Sequence, residues 1–257
     1  MMDILSLFKL DGEKAIVTGA AQGLGREVAI GLAEAGADVA IIDIMGEKAK
    51  KETAGEIEKL GRKAIVIEGD VTKEEDVKKA VQKVMNEFGK IDILVNNAGV
   101  VSWVPAEEME FKEWYRVLDT NLNGVFNCCK YVGREMIKQR KGSIINVSSI
   151  SSFVVNYPQK QCHYNTSKAG VDQLTKCLAF EWAPYNVRVN AVLPGYMNTP
   201  LLKEADEKYL NQWISTAAQK RISDPAEFKG IFIFLASKAA SYFCGSLVVS
   251  DGGYSLW

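Results

Sequence analysis

Residues 14–43 read KAIVTGAAQGLGREVAIGLAEAGADVAIID. A short apolar, β-branched run (14–18) meets Gly19-Ala20-Ala21-Gln22-Gly23-Leu24-Gly25, and an apolar pattern of helical period follows over 23–35. Glycines at such a strand-to-helix turn let the backbone bend tightly and approach a pyrophosphate, whose charge is favoured by free N–H groups and the helix dipole. A second apolar run, 38–42, completes the unit, and Asp43 stands at its end, 18 residues after Gly25. An acidic residue about 20 residues beyond the glycines meets the adenosine ribose hydroxyls of a dinucleotide. A carboxylate there repels a 2′-phosphate, and neither Gln22 nor Ile44 offers a neutralising cation, so the pattern favours NAD over NADP. The simpler reading of Asp43 is a cap on the helix that follows.

The same alternation continues outward from this unit. Further strands are expected at 63–67, 91–95, 143–147, 187–191 and 247–249, several nearly continuous in apolar residues, as strands buried on both faces should be. Helical patterns lie between them at 47–60, 73–88, 107–139, 164–182 and 224–235. Gly36, Gly61 and Gly89 each follow a helix and precede a strand, where a left-handed residue favours glycine. Asp224-Pro225 reads as an N-cap with proline at the first helical position. The 107–139 pattern is long for one helix and carries Asn121, Asn123 and Gly124 in its middle, so a local irregularity is expected there. Alternating strands and helices of this kind make a parallel sheet covered by helices, an α/β fold, and no linker divides the 257 residues into separate units.

Composition narrows the function classes. With 31 basic and 32 acidic side chains, a net charge of −1 and no long basic block, bulk charge does not point to nucleic-acid or membrane-surface partners. The longest apolar stretches, such as 231–236, fall far short of the roughly 20 residues of a membrane span. Asp3 before and Lys9 after a few apolar residues is the wrong order for a secretory signal. Five scattered cysteines (Cys128, Cys129, Cys162, Cys177, Cys244) suggest neither a disulfide framework nor a zinc site. A cytoplasmic protein that needs no metal is the expectation.

Tyr164 and Lys168 are four residues apart in a helical pattern and share one face. A free phenol, with a pKa of about 10, is roughly 0.1 % ionised at neutral pH, and an adjacent ammonium favours the phenolate, which can then act as acid or base toward an alcohol or carbonyl. Asn96-Asn97-Ala98-Gly99 follows the fourth strand, Asn121 lies in Asn121-Leu122-Asn123-Gly124, and Tyr164-Asn165-Thr166-Ser167-Lys168 spans the tyrosine and lysine. Pro194-Gly195 follows the sixth strand, with Thr199 four residues beyond the glycine. In this order, and with Thr18–Gly25 ahead of them, these motifs resemble the short-chain dehydrogenase/reductase family over nearly the whole chain.

The resemblance implies one Rossmann-like, doubly wound domain over 1–257, with a parallel sheet of seven strands ordered 3-2-1-4-5-6-7. It implies a nicotinamide cofactor held by Gly19, Gln22, Gly23, Leu24, Gly25, Asp43, Asp70, Val71, Asn97, Ala98, Gly99, Pro194, Gly195 and Thr199, with Tyr164 and Lys168 at the nicotinamide ribose. Asp70 meets the adenine edge or, equally, caps the helix at 73. The implied catalytic set is Asn121, a serine, Tyr164 and Lys168: Tyr164 moves the proton, Lys168 lowers its pKa, Asn121 holds a water joining Lys168 to solvent, and the serine holds the substrate oxygen. The family's usual spacing of 13 before the tyrosine lands on Ser151, whereas the end of the fifth strand favours Ser149, 15 before it, with Ser151 a second substrate contact.

The longer loop through Val154-Val155-Asn156-Tyr157-Pro158-Gln159 resembles family members acting on sugars and polyols. Asn156 offers a donor and an acceptor for a further hydroxyl, or simply holds its own turn. Trp103 and Tyr196 are candidate walls of the substrate pocket. A neighbour of Tyr164 on the helix, His163, should face elsewhere. The expectation is NAD-dependent interconversion of a secondary alcohol and a ketone on a polyol or keto-sugar, with a sugar acid possible. Alternatives are a 3-oxoacyl or steroid-type reductase and, outside enzymes, a nucleotide-sensing scaffold. The family further implies a homotetramer built through the helices from 107 and 164 and the C-terminal strand region, where Phe232, Phe234, Tyr242, Tyr254 and Trp257 suit an apolar interface. The closing residues 254–257 could reach a neighbouring subunit's pocket.

Overall fold

A computed structural model describes residues 3–200, 202 and 206–257. The apolar runs form β1 (Lys14–Thr18), β2 (Asp38–Asp43), β3 (Ala64–Glu68), β4 (Ile93–Asn96), β5 (Gly142–Val147), β6 (Val187–Pro194) and β7 (Leu247–Ser250). They pair in parallel in the order β3-β2-β1-β4-β5-β6-β7, as expected. Strand residues alternate between two cores, the period of two that a pleated strand imposes. Ala15, Val17, Val39, Ile41, Ile93 and Val95 enter one core, and Ile16, Ala40, Ile42, Leu94 and Ile144 the other.

The covering helices run in chain order as α1 (Gly23–Glu34), α2 (Gly46–Lys48), α3 (Gly55–Lys59), α4 (Glu74–Phe88), α5 (Phe111–Leu118), α6 (Gly124–Gln139), α7 (Cys162–Trp182), α8 (Glu207–Thr216) and α9 (Lys229–Ala236). Residues of α1, α3 and α9 pack on the first core, and those of α4, α6 and α7 on the second. Gly61 and Gly89 take the left-handed backbone (φ 73° and 75°) that ends a helix. Asp224 forms a capping box with Glu227 over a 3-10 turn, Pro225–Phe228, that leads into α9.

The helical pattern at 107–139 is divided. A 3-10 turn (Ala106–Glu108) precedes α5, and a π-type turn, Asp119–Asn123, joins α5 to α6, so the expected irregularity falls on Asn121 and Asn123. A second π-type turn, Ala49–Ala54, interrupts the pattern read over 47–60. Its widened turn lets Ala49, Thr53, Ala54 and Ile57 all be buried, with the Thr53 hydroxyl donating to the Ala20 carbonyl at 2.7 Å. Helix α8 has no counterpart in the sequence reading. Phe232 and Tyr254, expected at an interface, are instead core residues of this chain, while Tyr242 and Trp257 are exposed. No helix among the described residues is long and apolar enough to cross a membrane.

The sheet order reverses between β1 and β4, and there the two strand ends are tied together. Thr18 Oγ1 accepts the N–H groups of Asn97 and Ala98, both at 3.0 Å. In return the Asn97 amide donates to the Thr18 and Gly19 carbonyls at 3.0 and 2.8 Å. Gly25 lies under this clamp, where a Cβ would stand 2.3 Å from both Asn97 Nδ2 and the Gly19 oxygen. Gly25→Ala should therefore cost about 1–3 kcal/mol through overpacking and lower the melting temperature by several degrees. An unchanged melting temperature would show that the clamp yields freely.

Candidate active site

The carboxyl ends of β1 to β6 open onto one cleft of about 940 Å³, at the topological switch point where open α/β sheets bind ligands. Gly19, Gln22, Gly23 and Leu24 line it at the first turn of α1. The N-cap residue Gln22 makes no side-chain cap bond, so the first-turn N–H groups remain for an anion. Gly25, expected at the cofactor, does not line the cleft and acts beneath it, because its missing Cβ is what lets the turn sit on Asn97.

Asp43 is buried at the cleft edge, its two oxygens accepting the N–H groups of Ala21 and Met45 at 2.8 Å each. The carboxylate lines the cleft but does not cap the next helix, whose N-cap position is Met45. Asp70 and Val71 line the same end. The Asp70 carboxylate closes a turn on Thr72 (2.9 Å to N, 2.8 Å to Oγ1), while the N-cap position of α4 is Lys73. Asn97, Ala98 and Gly99 form the floor, and Pro194, Gly195 and Thr199 the opposite wall. Small residues, free helix N–H groups and an acid at the end of β2 suit a dinucleotide.

Helix α7 presents Tyr164 and Lys168 to the cleft. Lys168 is only 4 % exposed, its Nζ donates to the Val147 carbonyl at 2.8 Å, and it stands 5.6 Å from the centre of the Tyr164 ring. Burial brings its ammonium down to about 8, against the attraction of Asp172. The Tyr164 phenol is pushed up, because desolvation outweighs a hydrogen bond with Ser149. Burial thus opposes the lowering expected from Lys168, whose ammonium gives one of its three N–H groups to Val147 and keeps the others. Ser149 and Ser151 both line the cleft, with Ser149 Oγ donating to Ser151 Oγ at 3.0 Å. Asn121 is fully buried and does not line the cleft. Its amide holds both backbone groups of Val100 (2.8 and 2.9 Å) and reaches Ser167 Oγ at 3.2 Å, tying the Gly99 loop to α7.

Beyond the serines the wall is built of neutral polar groups on an aromatic base. Asn156 and Gln159 both donate to the Tyr196 hydroxyl (2.8 and 2.7 Å), and Tyr196 stacks on Trp213 with ring centres 4.2 Å apart. Trp103, a cleft residue, meets Trp213 edge-on. Gln161 donates to Asn156 and Asn165. The expected residues Trp103, Ser151, Asn156 and Tyr196 are thus brought together, and Gln159, Gln161, Asn165 and Trp213 join them without a sequence signal of their own.

Residues 19–255 match a family described as enoyl-(acyl carrier protein) reductase. The galactitol 2-dehydrogenase of Rhizobium johnstonii is 40 % identical over 97 % of this chain and 98 % of its own length. A short-chain type dehydrogenase/reductase from Mycobacterium marinum superposes with a TM-score of 0.96 at 41 % identity, covering 98 % of this chain and 99 % of that one. The chain belongs to the short-chain dehydrogenase/reductase family. Its relatives in that family include polyol and sugar dehydrogenases and, at 38 % identity over 94 % of this chain and 98 % of its own, a 3-oxoacyl-(acyl-carrier-protein) reductase of Staphylococcus epidermidis. They differ in cofactor. The mannitol dehydrogenase of Hypocrea jecorina, 38 % identical over 98 % of this chain and 96 % of its own, is NADP-dependent. The L-xylulose reductase of Ambrosiozyma monospora, 37 % identical over the whole of both chains, is NADH-dependent.

In this short-chain dehydrogenase/reductase a cation stands beside the glycine turn, at Gln22. Lys48, brought round by α2, donates to Gln22 Oε1 at 2.7 Å. His163, as expected, faces away from the cleft: it is buried, with Nε2 2.8 Å from Ser102 Oγ, and burial lowers its pKa. The buried Lys168 also has a thermodynamic signature. Its depressed pKa penalises folding fully below about pH 8, and the penalty fades as pH rises toward 10.5, where the unfolded chain loses the same proton. Lys168→Met should therefore melt no lower than the parent, and up to several degrees higher, at pH 7, with the margin shrinking through that window. Scanning calorimetry across pH would expose the opposite trend.

Proposed function

We propose that this chain is an NAD-dependent dehydrogenase interconverting a secondary alcohol and a ketone on a polyol or keto-sugar. The observation that carries the reading is the convergence of Ser149, Tyr164 and Lys168 on one stretch of cleft wall, next to a surface of neutral hydrogen-bonding groups. Ser149 holds the reacting oxygen by turning onto it the proton it otherwise gives Ser151, since it neighbours the Tyr164 phenol and is itself oriented by Ser151 N–H at 3.1 Å. Tyr164 takes the hydroxyl proton in oxidation and returns it in reduction. Lys168 holds the nicotinamide ribose and supplies positive charge beneath the phenolate. The nicotinamide, when bound, supplies the hydride acceptor and donor. Asp43 favours the unphosphorylated adenosine ribose, and the Lys48 cation is engaged by Gln22. A 3-oxoacyl substrate would need an elongated apolar channel, where this cleft carries Asn156, Gln159 and Gln161.

The test is NADH formation over a panel of polyols, sugar acids and simple secondary alcohols, with NADP in parallel. Turnover of a polyol, faster with NAD, is expected. Tyr164→Phe should bind NADH as the parent does, by fluorescence titration, yet lose at least about a hundredfold in turnover. Turnover retained in that variant would remove Tyr164 from the chemistry. A homotetramer is proposed as well, supported by exposed Phe111, Tyr115 and Phe180 on α5 and α7 and by Tyr242, Leu256 and Trp257 toward the C-terminus. Light scattering should give four times the 28.3 kDa chain mass, and a monomeric mass would refute it.

A further inference from the structure

The loop before α7 and helix α8 enclose a hydrogen-bonding network whose valences can be counted. The Tyr196 hydroxyl accepts from Asn156 and Gln159, which fills both its lone pairs. Asn156 Oδ1 accepts from Gln161 (3.1 Å) and Asn165 (3.1 Å), and Asn165 Oδ1 accepts from Gln161 (3.0 Å). Both protons of the Gln161 amide are therefore committed, and this fixes its orientation. The Gln159 oxygen is taken by Trp213 Nε1 at 3.1 Å.

What remains is the Gln161 oxygen, the Ser151 proton, and the second N–H that Asn156 Nδ2 and Gln159 Nε2 each keep. Among the described residues Gln161 Oε1 has no partner, yet it is not sealed from solvent, and Gln161 lines the cleft. Next to it is the Ser151 hydroxyl, 3.5 Å from Gln161 Nε2, which accepts from Ser149 and keeps its own proton to give. An oriented acceptor beside a donor matches an alcohol O–H, which both gives and takes a hydrogen bond. It mismatches a carboxylate, which only accepts and would face Gln161 Oε1 with nothing to donate. Of the two basic residues lining the cleft among those described, Arg116 forks onto Glu113 at 2.8 and 2.6 Å, and Lys168 gives one N–H to Val147 and, in the function proposed above, the others to the nicotinamide ribose.

We propose that Gln161 Oε1 and the Ser151 hydroxyl form a subsite for a substrate hydroxyl next to the reacting carbon, selecting neutral polyols and ketoses over sugar acids. This rests on the function proposed above and deepens it. The reacting oxygen at Ser149 lies one hydrogen bond from Ser151 and two from Gln161, the reach of a hydroxyl one or two carbons away. Losing a hydrogen bond to a substrate group in such a site costs about 1–3 kcal/mol, roughly 5- to 150-fold in specificity.

The experiment compares the parent, Gln161→Leu and Ser151→Ala on the fastest of galactitol, mannitol and sorbitol, on gluconate, and on 2-butanol, which has no second hydroxyl. Melting temperature and NADH binding are measured alongside. The parent should prefer the polyol to gluconate by at least about tenfold. In each variant the ratio of kcat/KM for polyol to that for 2-butanol should fall about tenfold or more, chiefly through KM. Should Gln161→Leu fail to fold, Ser151→Ala decides alone. A parent equally efficient on gluconate, or a ratio unmoved in a folded variant, overturns the subsite while leaving the proposed function standing. A parent that oxidises 2-butanol and no polyol overturns both.

Discussion

The reciprocal clamp between Thr18 and Asn97 is the constraint on which the rest of the site depends. A parallel sheet whose strand order reverses between two neighbours must open a crevice there, since the connections leave to opposite sides. The crevice is useful only if its floor is rigid. Four hydrogen bonds from one threonine and one asparagine fix the ends of β1 and β4 against each other. The glycine turn is then stacked on that floor through Gly19 and Gly25, two positions where any side chain would collide with backbone or with the Asn97 amide. Sheet, turn and first helix are in this way one rigid support.

Electrostatically the cleft is graded. One end carries the carboxylates of Asp43 and Asp70, the middle the buried ammonium of Lys168, and the wall beyond the serines amides and hydroxyls on an aromatic base. The buried ammonium is costly, and one carbonyl at 2.8 Å is its only partner among the described residues. A cost of that kind persists where the charge serves chemistry rather than stability. The wall beyond the serines follows the opposite logic. Its polar atoms largely orient one another, so those that remain free are held in fixed directions.

How much of this could be read from the chain follows from the range of each interaction. The strands, the glycine turn and the capping residues are local patterns, and they appear at 14–43, at Gly61 and Gly89, and at Asp224 as the sequence suggests. Tyr164 and Lys168 were legible because helical spacing alone puts them together. Gln159, Gln161 and Trp213 were not, since their meaning arises only when α8 folds back over a loop some 50 residues earlier. Lys48 was missed for a related reason: a short helix after β2 returns it to the glycine turn. The tyrosine pKa was misread because spacing gives proximity, and burial is a property of the whole fold.

The π-type turn between α5 and α6 has a consequence for how this chain can vary. A widened turn holds one more residue than an ordinary one, so the helix beyond it is rotated by about 100° relative to the helix before it. That rotation lets α5 bury Val117 while α6 turns Val125, Cys128, Val132 and Met136 inward on a different phase. Deleting a single residue from 119–123 would straighten the path and swing that entire stripe off the sheet. The reading frame of this helix is locked to its irregularity.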